Sequence, residues 1–147
     1  MKKTLDNLDD TKKIAEILLR KISAPKKTSA TLITLSGDLG AGKTTFTQKF
    51  GENLGIKEKI NSPTFVISKK YEINSKEFIW KNLIHIDAYR LEREEDMELI
   101  GLKEQLKNPE NLIFLEWPEM LVKWLPKKNR IDVKLKYLDE NTREIEF

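Results

Sequence analysis

The chain has 147 residues, the size of one domain, and its 27 basic and 24 acidic side chains leave a net charge of only +3. This near balance does not indicate a dedicated nucleic-acid binder, and the absence of cysteine and the single histidine exclude disulfides, thiol catalysis and multi-histidine metal sites. Because neither a signal peptide nor a run of 18 apolar residues is present, we expect one cytoplasmic domain over residues 1–147 with no membrane contact.

The first part of the chain has the pattern of a helix, a strand and a second helix. Apolar residues recur at helical spacing over residues 10–22, which predicts a helix with Ile17 among its buried residues. Residues 31–36 are a short β-rich run that leads directly into glycines. Residues 43–54 are predicted to be helical, because apolar residues recur every four positions and Gly55 follows as a terminator.

The middle of the chain predicts a hairpin followed by a helix. Residues 65–73 and 78–89 both have strand-like composition, and the short link between them favours antiparallel pairing. Residues 92–106 have helical spacing with acidic residues gathered in the first turn, where they stabilise the helix dipole.

The last part of the chain predicts a buried strand and a closing hairpin. Residues 112–115 are apolar on both faces, which is typical of a central strand covered on both sides. A short helix is predicted over residues 118–125, and residues 131–138 and 143–147 alternate like two strands of a hairpin. The expected fold is therefore α/β, a P-loop NTPase-like three-layer sandwich with a mixed parallel and antiparallel central sheet.

The glycine-rich segment from Gly37 to Thr44 fits the pattern G-x-x-x-x-G-K-[ST] at every fixed position, and it follows a predicted strand and opens a predicted helix. Glycines let the backbone N–H groups turn inward around phosphate oxygens. In this pattern the lysine contacts the β- and γ-phosphates, and the last hydroxyl binds Mg²⁺. We therefore expect nucleotide phosphates to be bound by one stretch of residues: Asp38, Leu39, Gly40, Ala41, Gly42, Lys43, Thr44 and Thr45.

A phosphate loop of this kind works with a carboxylate at the end of a nearby strand, which holds the metal or its waters. Two strand-like runs end in an acid, at Asp87 and at Glu116. Taken alone, each is more often a cap or a surface charge than a metal ligand. Periodicity does not choose between them, so both stay candidates.

Four further residues have both a functional and a structural interpretation. Thr64, which follows Ser-Pro, has the position of a switch threonine near the γ-phosphate, or of a simple turn before a strand. His85 stands alone in an apolar strand and is more often a satisfied core histidine than a base. Arg90 could neutralise transition-state charge or simply begin a charged helix. Trp117 could stack on a partner or a base, although a tryptophan after a central strand usually belongs to the core.

The motifs that the chain lacks narrow the function. It has no N-K-x-D motif for guanine and no glycine- and arginine-rich lid that a nucleotide kinase would close over two substrates. An ATP hydrolase is therefore favoured. A small-molecule phosphotransferase and a nucleotide-gated binding module, in which hydrolysis is incidental, stay open as alternatives.

Four motifs together resemble one family. They are GDLGAGKTT at residues 37–45, SPTF at 62–65, HIDAYRL at 85–91 and LEWPE at 115–119, in this order over nearly the whole chain. This set is similar to the TsaE (YjeE) family, the small P-loop ATPases of bacterial tRNA threonylcarbamoyladenosine synthesis.

The resemblance implies roles that the spacing does not show. Glu116 would join Thr44 around Mg²⁺, and Asp87 would be a second acidic residue of the active site. The loop that contains Thr64 would act as a switch near the γ-phosphate. Thr11, in the first helix, would lie close to the nucleotide. The expected catalytic residues are then Lys43, Asp87, Glu116 and Thr64, with ATP and Mg²⁺ as cofactors.

The resemblance also implies partners. Members of this family work with the TsaB and TsaD proteins, and TsaD transfers the threonylcarbamoyl group to adenosine 37 of ANN-decoding tRNAs. ATP hydrolysis by the small ATPase would support turnover of that assembly. We expect hydrolysis to be slow without these partners, and tRNA to be contacted at most indirectly or transiently.

Overall fold

The computed structural model of the chain describes residues 1–23, 26–61, 68–91 and 93–147. Its strands are β1 (Lys2–Leu5), β2 (Thr31–Ser36), β3 (Ser68–Glu72), β4 (Asn82–Asp87), β5 (Asn111–Glu116), β6 (Arg130–Tyr137) and β7 (Arg143–Glu146). Its helices are α1 (Leu8–Ser23), α2 (Lys43–Asn53), α3 (Glu94–Leu99) and α4 (Leu102–Lys107), followed by short 3₁₀ helices at Pro118–Met120 and Val122–Trp124.

The strands form a seven-stranded sheet in the order β1-β7-β6-β2-β5-β4-β3. The four central strands, β6, β2, β5 and β4, pair in parallel. Antiparallel strands complete both edges, with β3 beside β4 and the β7–β1 pair beside β6. The prediction of an α/β fold with a mixed central sheet is therefore confirmed.

Helices cover both faces of the sheet, because β2, β4 and β5 carry apolar side chains on both of their faces. On one face α1 and α2 pack against strand residues such as Ile33 and Phe114. On the other face α3, α4 and the 3₁₀ helices pack against residues such as Leu32 and Ile113. The result is three layers with a separate apolar cluster on each side of the sheet.

Most sequence predictions of secondary structure are confirmed. The strand over residues 31–36 is β2, and the helix over 43–54 is α2, which ends one residue before the prediction. The run at 112–115 lies within β5, whose six residues are all buried. The antiparallel pairing of β3 with β4 and of β6 with β7 also matches. Residues 65–67 of the first predicted strand lie outside the described residues.

Three predictions of local structure are wrong, and one strand was missed. The helix over residues 92–106 is broken into α3 and α4 at Gly101, which has φ +69° and so ends α-helical geometry. The helix over 118–125 is two 3₁₀ turns instead. Ile17 is 43% exposed, because α1 buries Ala15 and Leu19 on the face that contacts the sheet. β1 was not predicted, since it acquires a pairing partner only when β7 lies beside it.

This topology determines where a ligand can bind. The carboxyl ends of β2, β4 and β5 meet at one edge of the sheet, and ligands of open α/β sheets bind outside this edge. The glycine-rich loop follows β2 there, Asp87 ends β4 and Glu116 ends β5. Among the residues described, no helix combines the length and apolar composition needed to cross a lipid bilayer.

Candidate nucleotide site

A cleft of about 890 Å³ opens at the carboxyl edge of the parallel strands. The glycine-rich loop and the start of α2 form its floor, and the ends of β4 and β5 form one wall. The opposite wall comes from the segment between β1 and α1 and from the β6–β7 hairpin. The lining residues are Leu5, Asn7, Leu8, Thr11, Leu39, Gly40, Ala41, Gly42, Lys43, Thr44, Thr45, Asp87, Tyr89, Arg90, Glu116, Trp117, Leu135, Glu140, Asn141 and Arg143.

The loop between β2 and α2 has a backbone that requires glycine at its first position. Gly37 has φ +144°, and a Cβ placed there would lie 2.2 Å from the carbonyl oxygen of Leu135 in β6. The loop is therefore packed against the neighbouring strand with no space for a side chain. This close packing brings the loop directly over the carboxyl edge of the sheet.

The N-terminus of α2 is open toward the cleft. Gly42, the cap residue, has φ +100° and offers no side chain to the free backbone N–H groups, and the first helical turn contains no acidic residue. Unpaired N–H groups and the positive end of the helix dipole favour an anion at this position. The geometry therefore suits a phosphate group, as the sequence motif predicts.

The Lys43 side chain lies along the loop that precedes it. Its ammonium donates hydrogen bonds to the carbonyl oxygens of Gly37 and Asp38, the second at 3.2 Å. The same nitrogen lies 4.5 Å from the centre of the Trp117 ring, within cation–π distance. Lys43 is therefore 7% exposed and held by contacts within the protein.

Trp117, directly after β5, has a strained backbone. Its φ is +58°, which is uncommon for a bulky residue and costs about 1–3 kcal/mol. Its ring packs edge-on against Tyr89, with 5.2 Å between ring centres, and it is partly exposed in the cleft. The interpretation of this tryptophan as core is therefore wrong: it lies at the cleft, between Lys43 and Tyr89.

The two candidate carboxylates lie side by side. Asp87 and Glu116 are directly paired in the register of β4 and β5, so both side chains project from the same face of the sheet. Glu116 is 3% exposed and Asp87 is more accessible. One oxygen of Asp87 accepts a hydrogen bond from the backbone N–H of Tyr89 at 3.0 Å. Both acids line the cleft, so the two strand-end carboxylates between which the sequence could not choose lie together at one site.

His85 points toward the same acids from within the sheet. It is fully buried, and its Nε2 lies 3.1 Å from an Oε atom of Glu116. The interpretation of His85 as a core residue therefore agrees with its burial, but its hydrogen-bond partner belongs to the cleft.

Most of the remaining predicted site residues also line the cleft. Thr11 of α1, residues 39–45 and Arg90 all border it. Asp38 does not line the cleft, although its carbonyl oxygen accepts a hydrogen bond from Lys43. Thr64, with the rest of the SPTF motif, lies outside the described residues, so its role stays a prediction.

Sequence reasoning missed the wall formed by the β6–β7 hairpin. Glu140, Asn141 and Arg143 border the cleft, and the Arg143 Nε donates a hydrogen bond to the carbonyl oxygen of Gly40 at 2.9 Å. These residues lie about a hundred positions from the glycine-rich loop, and no local pattern in the chain relates them. Only the sheet order, which places β6 next to β2, reveals the contact.

Comparison with known proteins assigns the chain to a family. The family model described as "Threonylcarbamoyl adenosine biosynthesis protein TsaE" matches residues 5–145. The chain belongs to the TsaE family. Among curated relatives, the TsaE protein of Bacillus subtilis is 38% identical over 96% of this chain and 80% of its own length. The TsaE protein of Haemophilus influenzae is 36% identical over 92% of this chain and 78% of its own length.

The TsaE fold is also shared with a solved structure. The crystal structure of Bacillus subtilis YdiB matches with a TM-score of 0.70 and 32% sequence identity, over 99% of this chain and 82% of that one. The expectation that the chain resembles this family is therefore confirmed both by sequence and by fold.

The donor set of this TsaE-family cleft fits magnesium. Within the described ranges no group of three or more histidine and acidic side chains is arranged to bind a metal. Magnesium, however, prefers oxygen ligands and typically takes one or two carboxylates together with substrate phosphates and water. Thr44 and Glu116 line the same cleft as the phosphate-binding loop, which is the combination that a magnesium–nucleotide complex requires.

Proposed function

We propose that this TsaE-family protein is a magnesium-dependent ATPase that supports threonylcarbamoyladenosine modification of tRNA together with TsaB and TsaD. One structural observation is the main support for this proposal. The open N-terminus of α2, with Lys43 and Thr44, lies in the same cleft as the register-paired carboxylates Asp87 and Glu116. The relatives are named tRNA threonylcarbamoyladenosine biosynthesis protein TsaE, which supports a role in this pathway.

The residues of the cleft divide the chemistry between them. The loop N–H groups and the Lys43 ammonium bind the β- and γ-phosphate oxygens, so Lys43 must exchange its contacts with the Gly37 and Asp38 carbonyls for phosphate. The Thr44 hydroxyl and the Glu116 carboxylate hold magnesium, which when bound neutralises charge on the phosphates. Asp87, the more accessible acid, orients the attacking water together with Thr64.

Hydrolysis by the protein alone is expected to be slow. Arginines that stabilise the transition state accelerate phosphoryl transfer by about 10³–10⁵-fold. Of the two arginines that border the cleft, Arg143 is already bonded to Gly40 and to carbonyl oxygens of its own hairpin. Arg90 lies on an exposed turn after β4, where nothing described fixes its guanidinium. A protein partner that orders this edge of the cleft would therefore raise the rate.

The direct test measures phosphate release with and without TsaB and TsaD. The wild type should be slow alone and faster with the partners, and Glu116→Gln should lose the activity because it removes the buried carboxylate. Glu119→Gln is the matched control, since Glu119 is exposed and does not line the cleft. Hydrolysis that ignores the partners, combined with no nucleotide-dependent complex, contradicts the proposal.

Two other functions make different predictions in the same experiments. A small-molecule phosphotransferase would move label from the γ-phosphate to a metabolite instead of to free phosphate. In a nucleotide-gated binding module, Glu116→Gln would still bind ATP and restore threonylcarbamoyladenosine to the tRNA of cells that lack the protein. The ATPase proposal requires that this variant keep the Mg²⁺-independent nucleotide binding measured in EDTA and fail in the cells.

A further inference from the structure

The buried pair of His85 and Glu116 is a feature that the proposed chemistry does not use. His85 is 0% exposed and Glu116 is 3% exposed, and 3.1 Å separate Nε2 from the carboxylate. Within the described residues, this is the hydrogen bond that the Glu116 side chain makes. Burial of an ionised carboxylate is costly unless hydrogen bonds replace its lost water.

The sheet register fixes this contact. His85 is paired with Phe114 and Asp87 with Glu116, so His85 is the diagonal neighbour of Glu116 on the same face. Both strands are central in the sheet, and the ring cannot move away without disturbing the core on that face. The register and the packing of the ring together therefore place the hydrogen-bond donor beside the carboxylate.

The chemistry of the pair determines the histidine tautomer. An ionised Glu116 has no hydrogen to donate, so Nε2 must carry it and donate to the carboxylate. The other ring nitrogen, Nδ1, has no hydrogen-bond partner among the described atoms, and in a neutral ring it is the nitrogen without a hydrogen. One Glu116 oxygen is bonded to His85, the other has no hydrogen-bond partner among the described residues, and Glu116 lines the cleft.

We propose that His85 is a positioning residue for magnesium: its Nε2–H bond orients the Glu116 carboxylate, which would bind the metal together with Thr44. This inference rests on the proposed magnesium-dependent function and adds the residue that orients the acidic ligand. It also explains why a polar ring lies in an otherwise apolar layer of the sheet.

The first experiment uses the unmutated protein and the fact that it contains one histidine. With ¹⁵N-labelled histidine, two-bond NMR correlations report directly which ring nitrogen carries the hydrogen. We expect the Nε2–H tautomer, and a change of the Nε2 signal when Mg²⁺ is added to the ADP-bound protein but not to the protein without nucleotide. An Nδ1–H tautomer, or a signal that ignores Mg²⁺ with ADP present, overturns the inference.

The second experiment compares two amide substitutions that place a donor at different ends of the ring. In His85→Gln the amide nitrogen takes the place of Nε2. In His85→Asn it takes the place of Nδ1, and the shorter asparagine side chain does not reach Glu116. In each protein, nucleotide affinity is measured over a Mg²⁺ titration and again in EDTA. We expect His85→Asn to need about 10- to 100-fold more Mg²⁺ for the same gain in affinity, with His85→Gln close to wild type and the EDTA affinities equal.

The outcomes separate the inference from the function on which it rests. If Mg²⁺ does not strengthen nucleotide binding to the wild type, the proposed function fails and the inference with it. If the wild type responds and His85→Asn responds equally, His85 is a core residue only and the inference alone is overturned. The NMR experiment needs no variant, so it tests the role of His85 even if a substitution at this position prevents folding.

Discussion

The contact between Gly37 and β6 allows a quantitative test of how the phosphate loop is held. Gly37→Ala would place a Cβ 2.2 Å from the Leu135 carbonyl oxygen, where real Cβ contacts essentially never fall below 3.0 Å. Loop and strand must then separate by about 0.8 Å, the difference between these two distances. Gly55→Ala is the matched control, because Gly55 also has a positive φ, +80°, but its Cβ would meet nothing within 4 Å.

The expected destabilisation follows from two contributions. A side chain near the left-handed region of Gly55, φ +80°, costs about 1–2 kcal/mol, and φ +144° at Gly37 lies outside that region and costs at least as much. Forcing an extra carbon into a packed contact typically costs about 1–3 kcal/mol more, and this applies to Gly37 only. We therefore expect the free energy of unfolding to fall by about 2–5 kcal/mol for Gly37→Ala and about 1–2 kcal/mol for Gly55→Ala.

Urea unfolding monitored by circular dichroism measures both losses, and an unchanged m-value would show that the unfolded states are comparable. For a chain of this length each kcal/mol corresponds to about 3 °C in Tm, so thermal unfolding gives a second estimate. Nucleotide affinity should fall for Gly37→Ala and stay unchanged for Gly55→Ala. Equal loss of stability in the two variants would refute the idea that the Leu135 contact holds the loop.

Three further predictions test the cleft and its hairpin wall. Nucleotide binding should change the tryptophan fluorescence of the wild type and of Trp124→Phe but not of Trp117→Phe, because phosphate draws the Lys43 ammonium away from the Trp117 ring. Arg143→Met should weaken nucleotide binding about five- to tenfold in a titration, because it removes the bond to Gly40, and equal affinity would contradict this. Finally, the backbone N–H of Asn141 lowers the pKa of Asp139, so this carboxylate stabilises the hairpin above its unfolded pKa of about 4 and loses that effect as the pH falls through the lowered value. Urea unfolding at pH 6 and pH 2 should therefore show a smaller loss of stability on acidification in Asp139→Asn than in the wild type.

Local sequence pattern was sufficient where neighbouring residues determine the structure. β2 and α2 agree with their predictions because the loop between them is encoded by glycines that accept positive φ, and because Phe46 and Phe50, four positions apart, are both buried. β5 agrees because a strand buried on both faces needs apolar residues throughout. α3 and α4 were predicted as one helix because their apolar spacing continues across Gly101, and spacing does not reveal the backbone angle of that glycine.

Sequence patterns predicted some of the residues that line the cleft and missed others, and sheet topology explains both results. The glycine-rich loop, Asp87 and Glu116 each occur at the end of a strand-like run, and parallel strands bring such ends together. Arg143 belongs to a closing hairpin whose sequence gives no sign that it lies beside the loop. Trp117 was a residue with two interpretations, and the choice depended on a backbone conformation, φ +58°, that its neighbours in sequence do not indicate.

The sequence by itself determined the family, the phosphate loop and the acids available to face it, because those are properties of residue type and short-range spacing. Only the tertiary structure decided which side chains share a face and which stand next to each other. The register of β4 and β5 pairs Asp87 with Glu116 and places His85 behind the buried carboxylate. That register is set by the packing of the whole sheet between its two helical layers, so no segment of the chain could show it alone.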